Sequence, residues 1–145
     1  MDRPRIFALI AVALLFPLSA CGDFSGGGKW HNNMTCTGSP LGKNCQMTEG
    51  EYLGLKIGMT KEDAFQSACQ GEANRYLLNP TFQGKDPDDW VGRLGKVTCD
   101  LKSAAMRTDM WVFGKAEDLY GGGVVVKFTN NKIVKILYSY SLIAI

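Results

Sequence analysis

The sequence predicts an α+β fold in which two short N-terminal helices pack on one face of a three- to four-stranded antiparallel sheet, cross-linked by disulfide bonds. Two helix-capping patterns, Thr48/Glu51 and Thr60/Asp63, lie in the first half of the folded region. Alternating apolar residues typical of strands dominate the second half, where a turn signal over 129–132 joins the last two strands. Helices followed by a run of strands favour a helical layer on one face of the sheet.

The chain begins with a segment typical of a secretory signal. Arg3 and Arg5 precede an uncharged apolar run over 6–18, shorter than the about 20 residues of a membrane-spanning helix. Leu-Ser-Ala then precedes Cys21, and this stretch resembles the lipobox of bacterial lipoproteins. The resemblance implies that 1–20 are a lipoprotein signal peptide and that Cys21 carries the lipid. The alternative is an ordinary signal peptide followed by an unpaired cysteine.

The other four cysteines are Cys36, Cys45, Cys69 and Cys99. In an oxidising compartment they predict two disulfides, for which three pairings exist. Proximity in the sequence favours Cys36–Cys45 and Cys69–Cys99. Structural zinc sites use closely spaced cysteine pairs, which this chain lacks, so we expect no metal.

The charge is nearly balanced, which bears on the class of partner. The chain has 16 Lys and Arg against 14 Asp and Glu, and the signal segment removes Arg3, Arg5 and Asp2, which leaves 14 against 13. Without a basic cluster we expect no nucleic-acid partner.

Three segments are expected after the signal. Residues 21–47 form the lipidated N-terminus, a flexible Gly-rich tether and a small disulfide loop, and 48–145 form the domain. In the domain, a short helix starts at Thr48 and a second spans 61–70, ending before Gly71. Residues 72–95 read as irregular, and strands are predicted around Cys99, over 107–114 and over the hairpin of 124–140.

Two segments of this chain resemble a known family. Gly58 to Phe65 reads GMTKEDAF and Val124 to Ile136 reads VVVKFTNNKIVKI. Their order resembles the SmpA/OmlA (BamE-like) outer-membrane lipoproteins, whose fold is shared with the β-lactamase inhibitory proteins. The resemblance implies a BamE-like domain, and the inhibitory relatives support the pairing Cys69–Cys99. One departure is that Gly71 lacks the proline that often follows two residues later in the family.

Catalytic chemistry finds no support in the residues, so we expect no enzyme and no cofactor. The single histidine, His31, lies in the predicted tether. The acidic run Asp86, Asp88 and Asp89 lacks the spacing, glycine and closing glutamate of an EF-hand. Gly121 to Gly123 precede a strand, without the helix N-terminus on which phosphate loops rely.

The expected function is that of a non-enzymatic envelope lipoprotein that binds other proteins. Aromatic residues on an uncovered sheet face are typical protein anchors, and Trp111 and Tyr138 are the candidates. The family resemblance implies partners such as the β-barrel assembly machinery and a lipid anchor at the periplasmic face of the outer membrane. The alternatives are a protein inhibitor of an envelope or extracellular enzyme and a ligand-binding lipoprotein.

Overall fold

A seven-stranded antiparallel sheet forms the centre of the protein, in a computed structural model that describes residues 34–39, 42–86, 88–116 and 122–141. The order across the sheet is β1-β2-β9-β8-β7-β5-β6, and a separate two-stranded ribbon pairs β3 with β4. The strands are β1 (Thr35–Ser39), β2 (Gly42–Met47), β3 (Glu51–Tyr52), β4 (Leu55–Lys56), β5 (Leu77–Gln83), β6 (Trp90–Gly92), β7 (Met110–Lys115), β8 (Gly123–Thr129) and β9 (Lys132–Ser141).

Two α-helices and two short 3-10 helices occupy the described residues. They are α1 (Lys61–Cys69), η1 (Glu72–Arg75), η2 (Cys99–Leu101) and α2 (Lys102–Met106). The start of α1 is as predicted, since the Thr60 hydroxyl accepts a hydrogen bond of 3.2 Å from the backbone N–H of Asp63.

The predicted fold class is wrong in the number of strands and in the position of the helices. The sheet has seven strands instead of three or four, and α2 follows β6 instead of preceding the strands. The expected first helix at Thr48 is the β3–β4 ribbon, because Leu53 and Gly54, at φ of 54° and 82°, turn the chain back on itself. The segment around Cys99, expected as a strand, is η2.

The β1–β2 hairpin belongs to the main sheet, so the folded domain begins before Thr48, the expected boundary. β2 pairs with β9 over six residue pairs, from Gly42↔Ser141 to Met47↔Ile136. A polar, glycine-containing segment reads as a loop by composition. Here its pairing with a strand far away in the sequence makes it the edge of the sheet.

The expected irregular segment 72–95 contains the strands β5 and β6. Pro80, which made this segment read as irregular, lies in a bulge of β5, where the register shifts between Leu78 and Thr81. Asn79 adopts a φ of 50° there, and its side-chain Oδ1 accepts a hydrogen bond of 2.7 Å from Gly95 N–H. The bulge accommodates Pro80, which cannot donate to the ladder, while pairing continues on both sides.

The predicted β8–β9 hairpin is confirmed. Asn130 and Asn131 have φ of 49° and 64°, the left-handed pair that a two-residue hairpin turn requires. A bulge at Lys127/Phe128 places Ile133 opposite Phe128 and Lys135 opposite Lys127, so Val134 is the extra residue. Ile133 is therefore buried, whereas Val134 is 41% exposed.

One face of the sheet, here called the covered face, packs against α1, α2 and the ribbon. Phe65 of α1 contacts Phe82 and Trp111 of the sheet edge-to-face, with ring centroids 6.3 and 6.0 Å apart. Trp111 Nε1–H donates a hydrogen bond of 3.0 Å to the Ala105 carbonyl in α2. The hydrophobic core therefore lies between this face, the helices and the ribbon.

Candidate functional site

Trp111 and Tyr138, predicted as partner contacts, lie on the covered face. Trp111 is 0% exposed and Tyr138 is 4% exposed. The Tyr138 ring lies 5.9 Å from the ring of Tyr52 in the ribbon, and Lys115 Nζ lies 5.0 Å from its centroid. The expectation that these two aromatic rings are available on an uncovered face is therefore wrong.

Both predicted disulfides are present. Cys36–Cys45 joins facing residues of β1 and β2, and Cys69–Cys99 joins the end of α1 to η2. Cys21, the predicted lipid-bearing residue, lies outside the described residues.

Two classes of site find no candidates in the described ranges. Over 34–39, 42–86, 88–116 and 122–141, no cluster of His, Cys, Asp or Glu has the arrangement of a metal site. Within the same ranges, no helix is long and apolar enough to cross a membrane.

Three of the ion pairs in the described part of the chain link loop and helix residues outside the main sheet, namely Arg93–Asp100, Lys102–Glu62 and Arg107–Asp89. The pKa of the Asp100 carboxyl lies below its usual value because two groups donate hydrogen bonds to it, chiefly the Thr98 hydroxyl and next in importance the Arg93 guanidinium. These contacts organise the segment that leads into α2.

The other face of the main sheet, here called the open face, carries the side chains that alternate with the buried ones. The described helices pack on the covered face and leave this one without a helical layer. Its central residues are Gln46, Thr81, Gln83, Trp90, Met110, Val112, Val125, Lys127, Lys135 and Leu137.

An apolar row crosses the middle of the open face. Val112 of β7 pairs with Val125 of β8, which pairs in turn with Leu137 of β9. All three side chains are partly exposed, and the polar residues Thr81 and Gln46 continue the row on either side. Directly opposed side chains lie within contact distance, so the row forms one continuous apolar strip.

The next row, here called the lysine end, combines apolar and cationic side chains. Gln83 pairs with Met110, Met110 pairs with Lys127, and Lys127 pairs with Lys135. Trp90 continues this row at the sheet edge by pairing with Gln83. The row therefore runs from an exposed aromatic ring to two ammonium groups.

Among the described residues, Trp90 is the exposed aromatic residue of the open face. It is 61% exposed, and its ring lies over Gly92, where a Cβ atom would approach Cζ2 at 3.0 Å. By sequence Trp90 is one of several aromatic residues near the predicted sheet, but its segment reads as irregular and Trp111 and Tyr138 are preferred. Its pairing in β6 assigns it to the open face.

The strands of the main sheet carry charge of a single sign. Their sequences contain no Asp and no Glu, whereas lysines recur in β2, β7, β8 and β9. On the open face, Lys127 and Lys135 supply this charge beside the apolar row. Such a surface favours an anionic or amphipathic partner over a cationic one.

An open depression of about 410 Å³ lies at the lysine end. Its apolar lining comes from Met110, Phe128 and Val134, and its cationic lining comes from Lys85, Lys127 and Lys135. Cavities of this size accommodate several side chains of a partner. The arrangement suits binding, since it combines apolar side chains with charged groups in one lining.

Comparisons of the chain with protein-family models, with curated proteins and with solved structures found no match.

Proposed function

We propose that this chain is a lipid-anchored, non-enzymatic protein of the bacterial envelope that binds another protein through the open face of its sheet. The observation that carries the proposal is the apolar row Val112, Val125 and Leu137, which lies on the sheet face that the described helices leave uncovered. The row continues through Thr81 to Gly92, over which the ring of the exposed Trp90 lies. Apolar side chains that are contiguous on a surface mark sites of association, and tryptophan is enriched among the residues that dominate binding energy.

The lipid anchor in this proposal derives from the start of the sequence. Arg3 and Arg5, the apolar run over 6–18 and Leu-Ser-Ala before Cys21 occur in the order of a lipoprotein signal. The first partner we would expect is a component of the β-barrel assembly machinery. That expectation rests on the SmpA/OmlA resemblance of Gly58–Phe65 and Val124–Ile136, which stays a prediction.

Site-specific photo-crosslinking in cells of the host tests the proposal. A photoreactive amino acid replaces Val125, at the centre of the apolar row, in the full chain with Cys21 intact. The matched control carries it at Ser103, an exposed residue of α2 on the opposite side of the sheet. We expect a discrete protein adduct from position 125 that is absent from position 103.

Three other outcomes have separate meanings. Adducts of equal yield from both positions, or none from position 125, would overturn the proposed binding face. A single hydrolase in the adduct would support the alternative function, inhibition of an enzyme.

Fractionation of cells that express Cys21→Ser tests the anchor, because the variant should leave the membrane fraction if Cys21 carries the lipid.

A further inference from the structure

The lysine end departs from the ordinary rule for cross-strand pairs. Lys127 of β8 lies directly opposite Lys135 of β9, and like charges in this position destabilise an antiparallel pair. Within the described ranges, neither ammonium group has a hydrogen bond or an ion pair. A local rule broken without a compensating contact is typical of a functional surface.

The surroundings of the two lysines strengthen the positive charge. Lys85 lines the same depression, and the acidic residue of its lining is Asp109. Asp109 Oδ1 lies 2.7 Å from Lys61 Nζ, which is 8% exposed as a residue, so this carboxylate already has a cationic partner. Three lysines thus line the depression, and the carboxylate in its lining is paired with Lys61.

Apolar side chains line the depression beside these charges. Met110 lies beside Lys127 across the β7–β8 pairing, and Val134, the extra residue of the β9 bulge, is 41% exposed. A ligand that offered charge alone would leave this apolar surface in water. A complementary ligand therefore carries both anionic and apolar groups.

We propose that the lysine end binds an acidic segment of the partner protein, with carboxylates at Lys127 and Lys135 and an apolar side chain over Met110 and Val134. The inference rests on the proposed function and adds the chemistry of the partner. Charge complementarity of this kind sets specificity and the rate of association, and it weakens as salt is added.

The acidic loop beside the depression favours a protein segment over a lipid surface. Asp86 and Asp88 are exposed immediately after Lys85, and Asp89 lies against Gly84 at the rim, where a Cβ atom would approach its Oδ2 at 2.8 Å. A flat anionic bilayer that reached the lysines would also approach these carboxylates. A narrow peptide segment can follow the lysines and avoid them.

A peptide titration with the purified full chain tests the inference. The probe is a fluorescein-labelled peptide in which glutamate and leucine alternate, and its control replaces each glutamate by lysine. We expect the double variant K127Q/K135Q to weaken binding of the acidic probe roughly tenfold. The matched variant K43Q/K56Q removes the same charge at positions outside the depression, where neither lysine has an ion pair within the described ranges, and should change affinity less than about twofold.

A second variant separates binding from folding. Lys127→Glu converts the like-charged pair into an ion pair with Lys135, so its melting temperature should not fall, while binding of the acidic probe should be lost. Unchanged affinity in Lys127→Glu, or equal weakening by K127Q/K135Q and K43Q/K56Q, would overturn the inference.

Failure of the inference and failure of the proposed function give different results. If the adduct at position 125 persists in cells at full yield with K127Q/K135Q, the open face binds a protein without an acidic segment at its lysine end. If the wild-type chain gives no adduct at position 125, the proposed function is refuted whatever the peptide titration shows. Lysine-dependent binding of Cys21→Ser protein to phosphatidylglycerol vesicles, without binding of the peptide, would assign the lysine end to lipid and overturn the inference.

Discussion

Removing the Cys69–Cys99 disulfide should cost more stability than removing Cys36–Cys45. Cys69 is the last residue of α1 and Cys99 is the first of η2, at a sequence separation of 30, whereas Cys36 and Cys45 are separated by 9. In the chain-entropy relation, a closed loop of the longer length contributes about 3.6 kcal/mol and one of the shorter length about 2.6 kcal/mol. The double variant C69A/C99A should therefore lose about 1 kcal/mol more than C36A/C45A.

The position of each disulfide in the sheet increases the expected difference. Cys36–Cys45 lies in the β1–β2 hairpin, and β1 is an edge strand that pairs with β2 alone. Without this disulfide, β1 can fray while the remaining strands stay paired. The loop closed by Cys69–Cys99 contains η1, β5 and β6, so its release affects the unfolded state of a large part of the domain.

Urea unfolding followed by tryptophan fluorescence measures both effects, because Trp111 is 0% exposed and reports the loss of the core. The wild-type chain under reducing conditions provides a control and should match the variant that lacks all four cysteines. Domains of this size are stable by about 5–15 kcal/mol, so both losses are measurable. An equal or larger loss of unfolding free energy in C36A/C45A would refute the argument from loop length.

Three further predictions concern single residues. Asp109→Ala should lower the unfolding free energy by about 1 kcal/mol, because it leaves the buried Lys61 ammonium, 8% exposed, without its carboxylate. Lys61→Met should lower the unfolding free energy by less, and the reverse order in urea unfolding would contradict this account. Trp111→Ala should lower the unfolding free energy by about 3–5 kcal/mol, and a Trp111→Ala chain as stable as the wild type would refute the core assignment. Trp90→Ala should change the unfolding free energy by at most about 0.5 kcal/mol but reduce crosslinking at the open face. The pKa of Asp100 is lowered in the folded state, so its carboxylate stabilises the fold above the unfolded pKa of about 3.9 and loses this effect as the pH falls. Asp100→Asn should therefore lower the melting temperature at neutral pH but not in acid.

The candidate partner contacts Trp111 and Tyr138 are aromatic residues that the sequence analysis assigned to the wrong face of the sheet. The sequence indicates that aromatic residues are concentrated in the strands, and Trp111 and Tyr138 both lie in predicted strands. The face that each side chain occupies depends on where the helices pack. The packing of Phe65 on Trp111 buries Trp111, and the pairing of β6 with β5 leaves Trp90 exposed.

Local chemistry in the sequence determined several features by itself. Thr60 starts α1 because its hydroxyl caps the helix, and the adjacent Asn130 and Asn131 form the β8–β9 turn because asparagine tolerates positive φ. Both disulfides follow the order of the cysteines along the chain. The cap and the turn depend on groups close together in sequence, and the disulfides pair each cysteine with its neighbour along the cysteine order.

Only the tertiary structure decided the width of the sheet and the identity of its open face. The segment containing β1 and β2 has little strand character alone and gains it by pairing with β9, which lies far along the chain. Thr48 and Glu51 match a capping pattern, but the turn at Leu53 and Gly54 directs the chain into a ribbon over Tyr138. Strand pairing and burial join residues distant in sequence, and their free energy exceeds the weak local preferences that a sequence displays.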